Sequence, residues 1–153
     1  MSSPTPMPFA VHIPFVELLG FELLEFEAGR AQVAMTLRDE HTNSWGVAHG
    51  GLLMTLLDVA MAHAARSPLQ ASGQPFPGVV TIEMKSSFMR PGQGRLVAHG
   101  LLLQRTATMA FTEGRVLDAD GTLVTHATGT FKYLHGLPTG KDGMRIRKLN
   151  ASD

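Results

Sequence analysis

The stretch Gly51-Leu-Leu-Met-Thr-Leu-Leu-Asp-Val-Ala-Met-Ala-His-Ala-Ala65 constrains the fold of this chain more than any other part of it. It is unbroken by proline and rich in Leu, Ala and Met, so the sequence predicts one long helix from His49 to about Arg66. Its apolar residues cover most of the circumference instead of a single stripe, the pattern of a helix enclosed by other structure. The remaining chain must therefore wrap around it.

The flanking segments supply what is needed. Pro14 to Leu19 predicts a short helical turn stopped at Gly20. Phe21 to Glu27 and Arg30 to Arg38 alternate as two strands joined at Ala28-Gly29, a hairpin. After a loop from Ser67 to Gly78 come four β-like stretches, Val79 to Arg90, Arg95 to Gln104, Met109 to Leu117 and Thr122 to Leu134. Pro91-Gly-Gln-Gly94 and Asp118-Ala-Asp-Gly121 have the chemistry of tight connections between antiparallel strands, and Arg105 to Thr108 reads as a third turn. Two strands, one buried helix and four strands argue for an α+β domain in which a curved antiparallel sheet of about six strands surrounds a central helix. A chain of 153 residues suits one domain. We place it at residues 13–134, between an N-terminal tail over 1–12 and a C-terminal tail over 135–153 that mixes glycine with Lys141, Arg145, Arg147 and Lys148.

Composition excludes several functions. Thirteen basic and thirteen acidic residues balance to zero, and no basic run stands beside an aromatic cluster, so nucleic acid is not an expected partner. Only 17% of residues are charged, which suits a surface partly covered by copies of the same chain. The absence of cysteine removes disulfides, thiolate metal sites and a cysteine nucleophile. No basic segment and apolar run open the chain, and no apolar stretch reaches the roughly 20 residues that span a bilayer, so a cytoplasmic protein without a membrane partner is expected. No histidine pair has the helical His-x-x-x-His spacing of a zinc site, so neither a metal nor another cofactor is expected. His41, His63, His99 and His126 read as structural or surface residues.

Asp58 is the only acidic residue of the long helix, and its neighbours Leu56, Leu57, Val59 and Ala60 are apolar. Burying a carboxylate there costs several kcal/mol unless it is paired or hydrogen-bonded, so it either fixes packing through a local bond or performs chemistry. His49-Gly50-Gly51 stands at the start of the same helix, where unpaired N–H groups and the positive end of the dipole can polarise a carbonyl oxygen. Glycine there lets a substrate approach the backbone, although a plain loop-to-helix junction also carries such glycines. Eight residues separate Gly50 from Asp58, about 12 Å along a helix, so both cannot touch one small group. A two-fold axis running two copies of the helix antiparallel would bring the Gly50 end of one beside Asp58 of the other.

The segment Asn43-Ser-Trp-Gly-Val-Ala-His-Gly-Gly-Leu-Leu-Met-Thr-Leu-Leu-Asp58 resembles the active-site stretch of the hotdog-fold acyl-CoA thioesterases of the phenylacetate-pathway and human thioesterase-superfamily type. Pro77-Gly-Val-Val-Thr-Ile-Glu-Met, Phe88-Met-Arg-Pro91 and Leu123-Val-Thr-His-Ala-Thr-Gly-Thr-Phe131 are similar to the family's strand patterns, so the likeness runs from about Gly20 to Leu134. The resemblance implies a hotdog fold, a homo-oligomer whose dimer shares its active sites and which assembles as a tetramer, and hydrolysis of an aryl- or medium-chain acyl-CoA. It also implies roles: the Gly50 N–H, supported by Asn43, on the thioester oxygen; Asp58 of the partner subunit as general base or nucleophile; His49 ordering the loop or assisting polarisation; and Thr81 positioning the water. Gly51 and Met54 would contact substrate, with Met61, Met84, Met89 and Met109 in the core or acyl pocket. Arg90, Arg95, Arg105 and Lys132 are candidates for the CoA phosphates, or solvated charges at strand ends. Two other readings fit the same residues: a hotdog acyl-CoA hydratase or dehydratase, and an acyl-CoA-binding protein without turnover.

Overall fold

In the computed structural model, residues 2–72 and 78–134 are described. The elements run α1 (Pro14–Leu19), β1 (Glu22–Glu27), β2 (Arg30–Thr36), α2 (Gly50–Arg66), β3 (Gly78–Phe88), β4 (Arg95–Arg105), β5 (Met109–Leu117) and β6 (Leu123–Leu134). Two short 3-10 turns, Asp39–His41 and Ser67–Ser72, flank the stretch that holds α2. α1 stops where expected: Gly20 takes φ 72° and its N–H donates to Glu17 O at 3.0 Å. Pro77 and residues 135–153, which carry the expected tail and its basic side chains, lie outside the described residues.

All strand pairs are antiparallel, in the order β1-β2-β4-β5-β6-β3. α2 contacts all six strands. Six strands spaced about 4.8 Å apart are roughly twice as wide as a helix about 10–12 Å in diameter, so such contact requires the sheet to curl around α2. This is the hotdog arrangement that the resemblance implies. Leu53, Leu56, Leu57, Ala60, Met61, Ala64 and Ala65 are all buried. The helix approaches β4 so closely that a Cβ on Gly100 would lie 2.4 Å from Ala60 O. Gly114, the cross-strand partner of Gly100, lies under Leu57 and Met61 in the same way.

Two of the three expected turns are hairpins. Thr106 N–H donates to Met109 O between β4 and β5, and Asp118 Oδ1 accepts from Asp120 and Thr122 N–H between β5 and β6. Pro91–Gly94 is not one. β3 pairs with β6 at the sheet's edge while β4 lies between β2 and β5, so this segment is a crossover and not a tight connection between neighbours. It is held by Leu37 N–H on Gly94 O and Ala48 N–H on Gly92 O, both at 2.9 Å. Glycine and proline signalled the change of direction but carry no information about which strand lies next door.

The helix is also less enclosed than its composition suggests. Met54, Thr55, Asp58, Val59 and Ala62 are only half-buried and share one stripe with exposed Gly51. At the sheet's end, β3 has an edge unpaired among the described residues, with Val80 and Ile82 exposed. Near the N-terminus, Met7 N–H donates to Leu23 O at 2.8 Å, and the Phe9 ring meets buried His63 edge-on at 5.3 Å. The Phe26 ring also meets that imidazole edge-on, at 5.4 Å.

Gly100→Ala is expected to lower the free energy of unfolding by about 3 kcal/mol or more, because backbone on both elements has to move; urea unfolding measures it. Acid should act through His63, whose pKa falls to about 4 through burial, opposed by its bond to Val59 O and reinforced by the Arg66 charge. Its folded pKa lies below the unfolded value, so its neutral form stabilises the fold fully above pH 6.5. That contribution is lost as pH falls from 6.5 towards 4, by about 3 kcal/mol in all. His63→Phe should flatten this part of the stability-versus-pH curve, and a curve of unchanged slope would refute the assignment.

Candidate active site

The site is built on the N-terminal half of α2 and what holds it. His49 is the N-cap: its backbone is extended (φ −61°, ψ 135°) and its Nδ1 accepts from Gly51 N–H at 2.9 Å. The His49 carbonyl accepts from Leu52 and Leu53 N–H. Three of the four first-turn amides are therefore occupied, and the fourth, Gly50 N–H, has no hydrogen-bond acceptor among the described residues. An unpaired amide at the positive end of a seventeen-residue helix is a donor for a partly negative oxygen. The Phe88 ring lies on one side of Gly50, at 3.5 Å from where a Cβ would be.

The preceding loop is closed by its own hydrogen bonds. Asn43 Oδ1 accepts from Trp45 N–H at 2.9 Å and Val47 N–H at 3.4 Å, and Asn43 N–H donates to Val47 O. Gly46 takes φ 72° at the turn of this loop. Asn43 thus orders its own loop through its oxygen, and no bond joins it to Gly50. His41 is buried, accepts Arg38 N–H on Nδ1 and receives His49 N–H on its carbonyl, so it locks the approach to the helix.

Asp58 stands two turns further along α2. Thr81 on β3 donates its hydroxyl to Asp58 Oδ1 at 2.6 Å. Burial raises the carboxyl pKa above the ordinary value, and the Thr81 bond, which favours the charged form, pulls part of the way back. A carboxylate so placed is a stronger base than one in open water.

The structure brings Asp58 and Thr81 together, and it brings His49, Gly50, Gly51 and the Asn43 loop together. Within one chain it does not join these two groups. Met54 lies between them on the half-buried stripe. Arg90 is exposed just beyond Phe88, its N–H donating to Val124 O at 3.2 Å. Arg95 pairs with Glu22 and Arg105 lies over the Tyr133 ring at 5.9 Å, so these two cations are engaged elsewhere. Lys132 is exposed on the outer face of the sheet. Two contributors were not singled out in the sequence. Phe88 was legible only as part of a strand, and the cleft of about 290 Å³ lined by Phe15, Leu19, Glu40, His41, His49, Gly51, Leu52 and Thr55 depends on how α1 docks.

The sequence profile of the Thioesterase superfamily matches residues 46–125, just over half of the chain. The chain belongs to this superfamily. A relative, SSO2140 of Saccharolobus solfataricus, is 32% identical over 119 residues, covering 77% of this chain and 81% of its own. The medium/long-chain acyl-CoA thioesterase YigI of Salmonella typhimurium is 28% identical, over 80% of this chain and 87% of YigI. Among solved structures, a mutant of the phenylacetic acid degradation protein PaaI from Thermus thermophilus is similar with a TM-score of 0.68 and 31% identity, covering 80% of this chain and all of that one, 100%. The conserved protein PA5202 of Pseudomonas aeruginosa has a TM-score of 0.73 and 28% identity over 80% of this chain and 95% of its own. The superfamily match spans Gly50, Asp58 and Thr81, and begins just after Asn43. Among the described residues no helix is long and apolar enough to cross a membrane.

Thr81→Val removes the one side-chain donor on Asp58 among the described residues, so the carboxyl pKa should rise further. Titration of the Asp58 carboxyl carbon by NMR in both proteins checks the direction, and a downward or absent shift would show that the bond does not govern it.

Proposed function

We propose that this superfamily member is an acyl-CoA thioesterase, hydrolysing aryl- or medium-chain acyl-CoA to the free acid and CoA at sites shared between two subunits. The observation that carries the reading is the pair of half-sites on α2: an unpaired amide at Gly50 and a Thr81-bonded carboxylate at Asp58 with a raised pKa.

Their separation is what requires a second copy. The half-buried stripe Gly51, Met54, Thr55, Asp58 is centred between Gly50 and Asp58, so an antiparallel crossing of two α2 helices at Met54 matches the Gly50 end of each to Asp58 of the other. The edge of β3 supports the same axis, since a long edge strand unpaired among the described residues, with Val80 and Ile82 exposed, is a template for pairing. Two such pairs of helices and sheets would form the tetramer.

In this reading the thioester oxygen accepts from Gly50 N–H, in the field of the helix dipole. The carboxylate of the opposite Asp58, its Oδ1 held by Thr81, takes a proton from the attacking water. The water oxygen bonds to the carbonyl carbon, the C–S bond breaks, and the proton passes to the departing thiolate. His49 acts by holding Gly51 N–H, which leaves Gly50 as the free donor. Asn43 positions the loop, and Arg90 beyond Phe88 meets the CoA phosphates. Nothing in this chemistry calls for a cofactor, and the site's setting is cytoplasmic, where acyl-CoA is made and used.

Release of thiol from a panel of phenylacetyl-, hydroxybenzoyl-, short-, medium- and long-chain acyl-CoAs tests the activity. Asp58→Asn should abolish turnover. Gly50→Pro deletes the donor at a position suited to proline, because the His49 backbone before it is extended and the first helical position tolerates it; kcat should fall about 10²- to 10³-fold. Mixing the two inactive variants with subunit exchange should restore about a quarter of wild-type activity, since each mixed dimer holds one intact site of two. No recovery on mixing would show that the sites are not shared. Full activity of Asp58→Asn would sink the catalytic assignment.

A further inference from the structure

We propose that the cleft between α1 and the first two turns of α2 is the acyl subsite, and that Phe15, with Leu19 behind it, sets the bulk of the acyl group accepted. The inference rests on the hydrolase reading and adds to it which element of the fold decides the substrate.

Three observations support it. First, the cleft is continuous with the carbonyl-binding end of the site. His49, Gly51, Leu52 and Thr55 form its inner wall, and His49 and Gly51 flank the unpaired Gly50 amide. Phe88 occupies the other side of Gly50, so an acyl group leaving the carbonyl on the α1 side leaves the Phe88 and Arg90 side for CoA.

Second, the cleft suits carbon and not phosphate. Phe15, Leu19 and Leu52 are apolar, and most of the polar lining is already bonded within the chain. Thr55 Oγ1 donates to Gly51 O at 2.9 Å, Glu40 pairs with Arg38 at 2.9 Å, and His41 Nδ1 accepts Arg38 N–H at 3.0 Å. No Lys or Arg lines it, and the Arg38 guanidinium beside it is engaged with Glu40, His41 and Leu18 O. Its volume of about 290 Å³ is near the lower end of small-molecule sites, the size for an aryl or short to medium aliphatic group.

Third, the outer wall is fixed in place, with Leu19 packed against the core and Phe15 left outside it. α1 buries Val16 and is tied down by Arg38, whose guanidinium donates to Leu18 O at 3.0 Å. The Phe15 ring, by contrast, is 55% exposed on the cleft side of this anchored helix. A large aromatic kept out of the core on a rigid support makes an adjustable boundary that mutation can move without unfolding the domain.

The test is the ratio of kcat/KM for long-chain to short-chain acyl-CoA in wild type, Phe15→Ala, Phe15→Trp and Leu18→Ala. Phe15→Ala should raise the ratio by about tenfold and Phe15→Trp lower it by about as much. Leu18→Ala, on the same helix but outside the cleft, should leave the ratio at the wild-type value. If both Phe15 variants stay active with the wild-type ratio, the cleft is not the acyl subsite, while the hydrolase reading stands. A wild type that turns over no acyl-CoA would remove both.

Discussion

The seating of α2 on the sheet is the constraint on which the rest of this structure depends. A helix that touches all six strands needs a sheet that curls and a surface that lets the backbones approach. Gly100 provides the closest approach, with no room for a methyl group above it, and Gly114 extends the same trough under Leu57 and Met61. Once the helix lies in that trough its rotation is set. Leu53, Leu57, Ala60 and Met61 face inward, and Asp58 is carried to the side where Thr81 on β3 can reach it.

The same seating explains why the two proposed half-sites lie apart. Gly50 and Asp58 are both products of one straight helix, which can aim an amide from its first turn and a carboxylate from its third but cannot fold one back on the other. The loop from Asn43 to Ala48, closed on itself by the asparagine side chain and fastened to the crossover at Gly92, delivers His49 in an extended conformation. His49 then satisfies Gly51 and leaves Gly50 open. The stripe of α2 and the edge of β3 that are uncovered among the described residues are the surfaces that the proposed second copy would cover.

Much of this was legible beforehand. The long helix, the six strands, the stop at Gly20 and the Ala28-Gly29 hairpin follow from propensity, alternation and turn chemistry, which act over a few residues. Asp58 stood out because a lone carboxylate among leucines demands a partner, and the motif around His49 pointed to carbonyl polarisation as the complementary chemistry. The Pro91–Gly94 crossover was misread as a hairpin because a turn sequence reports a reversal of the chain and not the strand order that follows. Phe88 and Phe15 escaped notice because an aromatic in a strand or short helix looks like core until its surroundings are known.

By itself the sequence determined the elements, their order, and the two chemically loaded points on the helix, because those depend on local backbone preferences and on the cost of burying charge. Only the tertiary structure decided that, among the described residues, β3 is an edge and Gly50 alone of the first-turn amides is unpaired, that Thr81 bonds Asp58, and that α1 walls a cleft beside Gly51. Each of these is a relation between residues far apart in the chain, fixed by the way the sheet closes around α2.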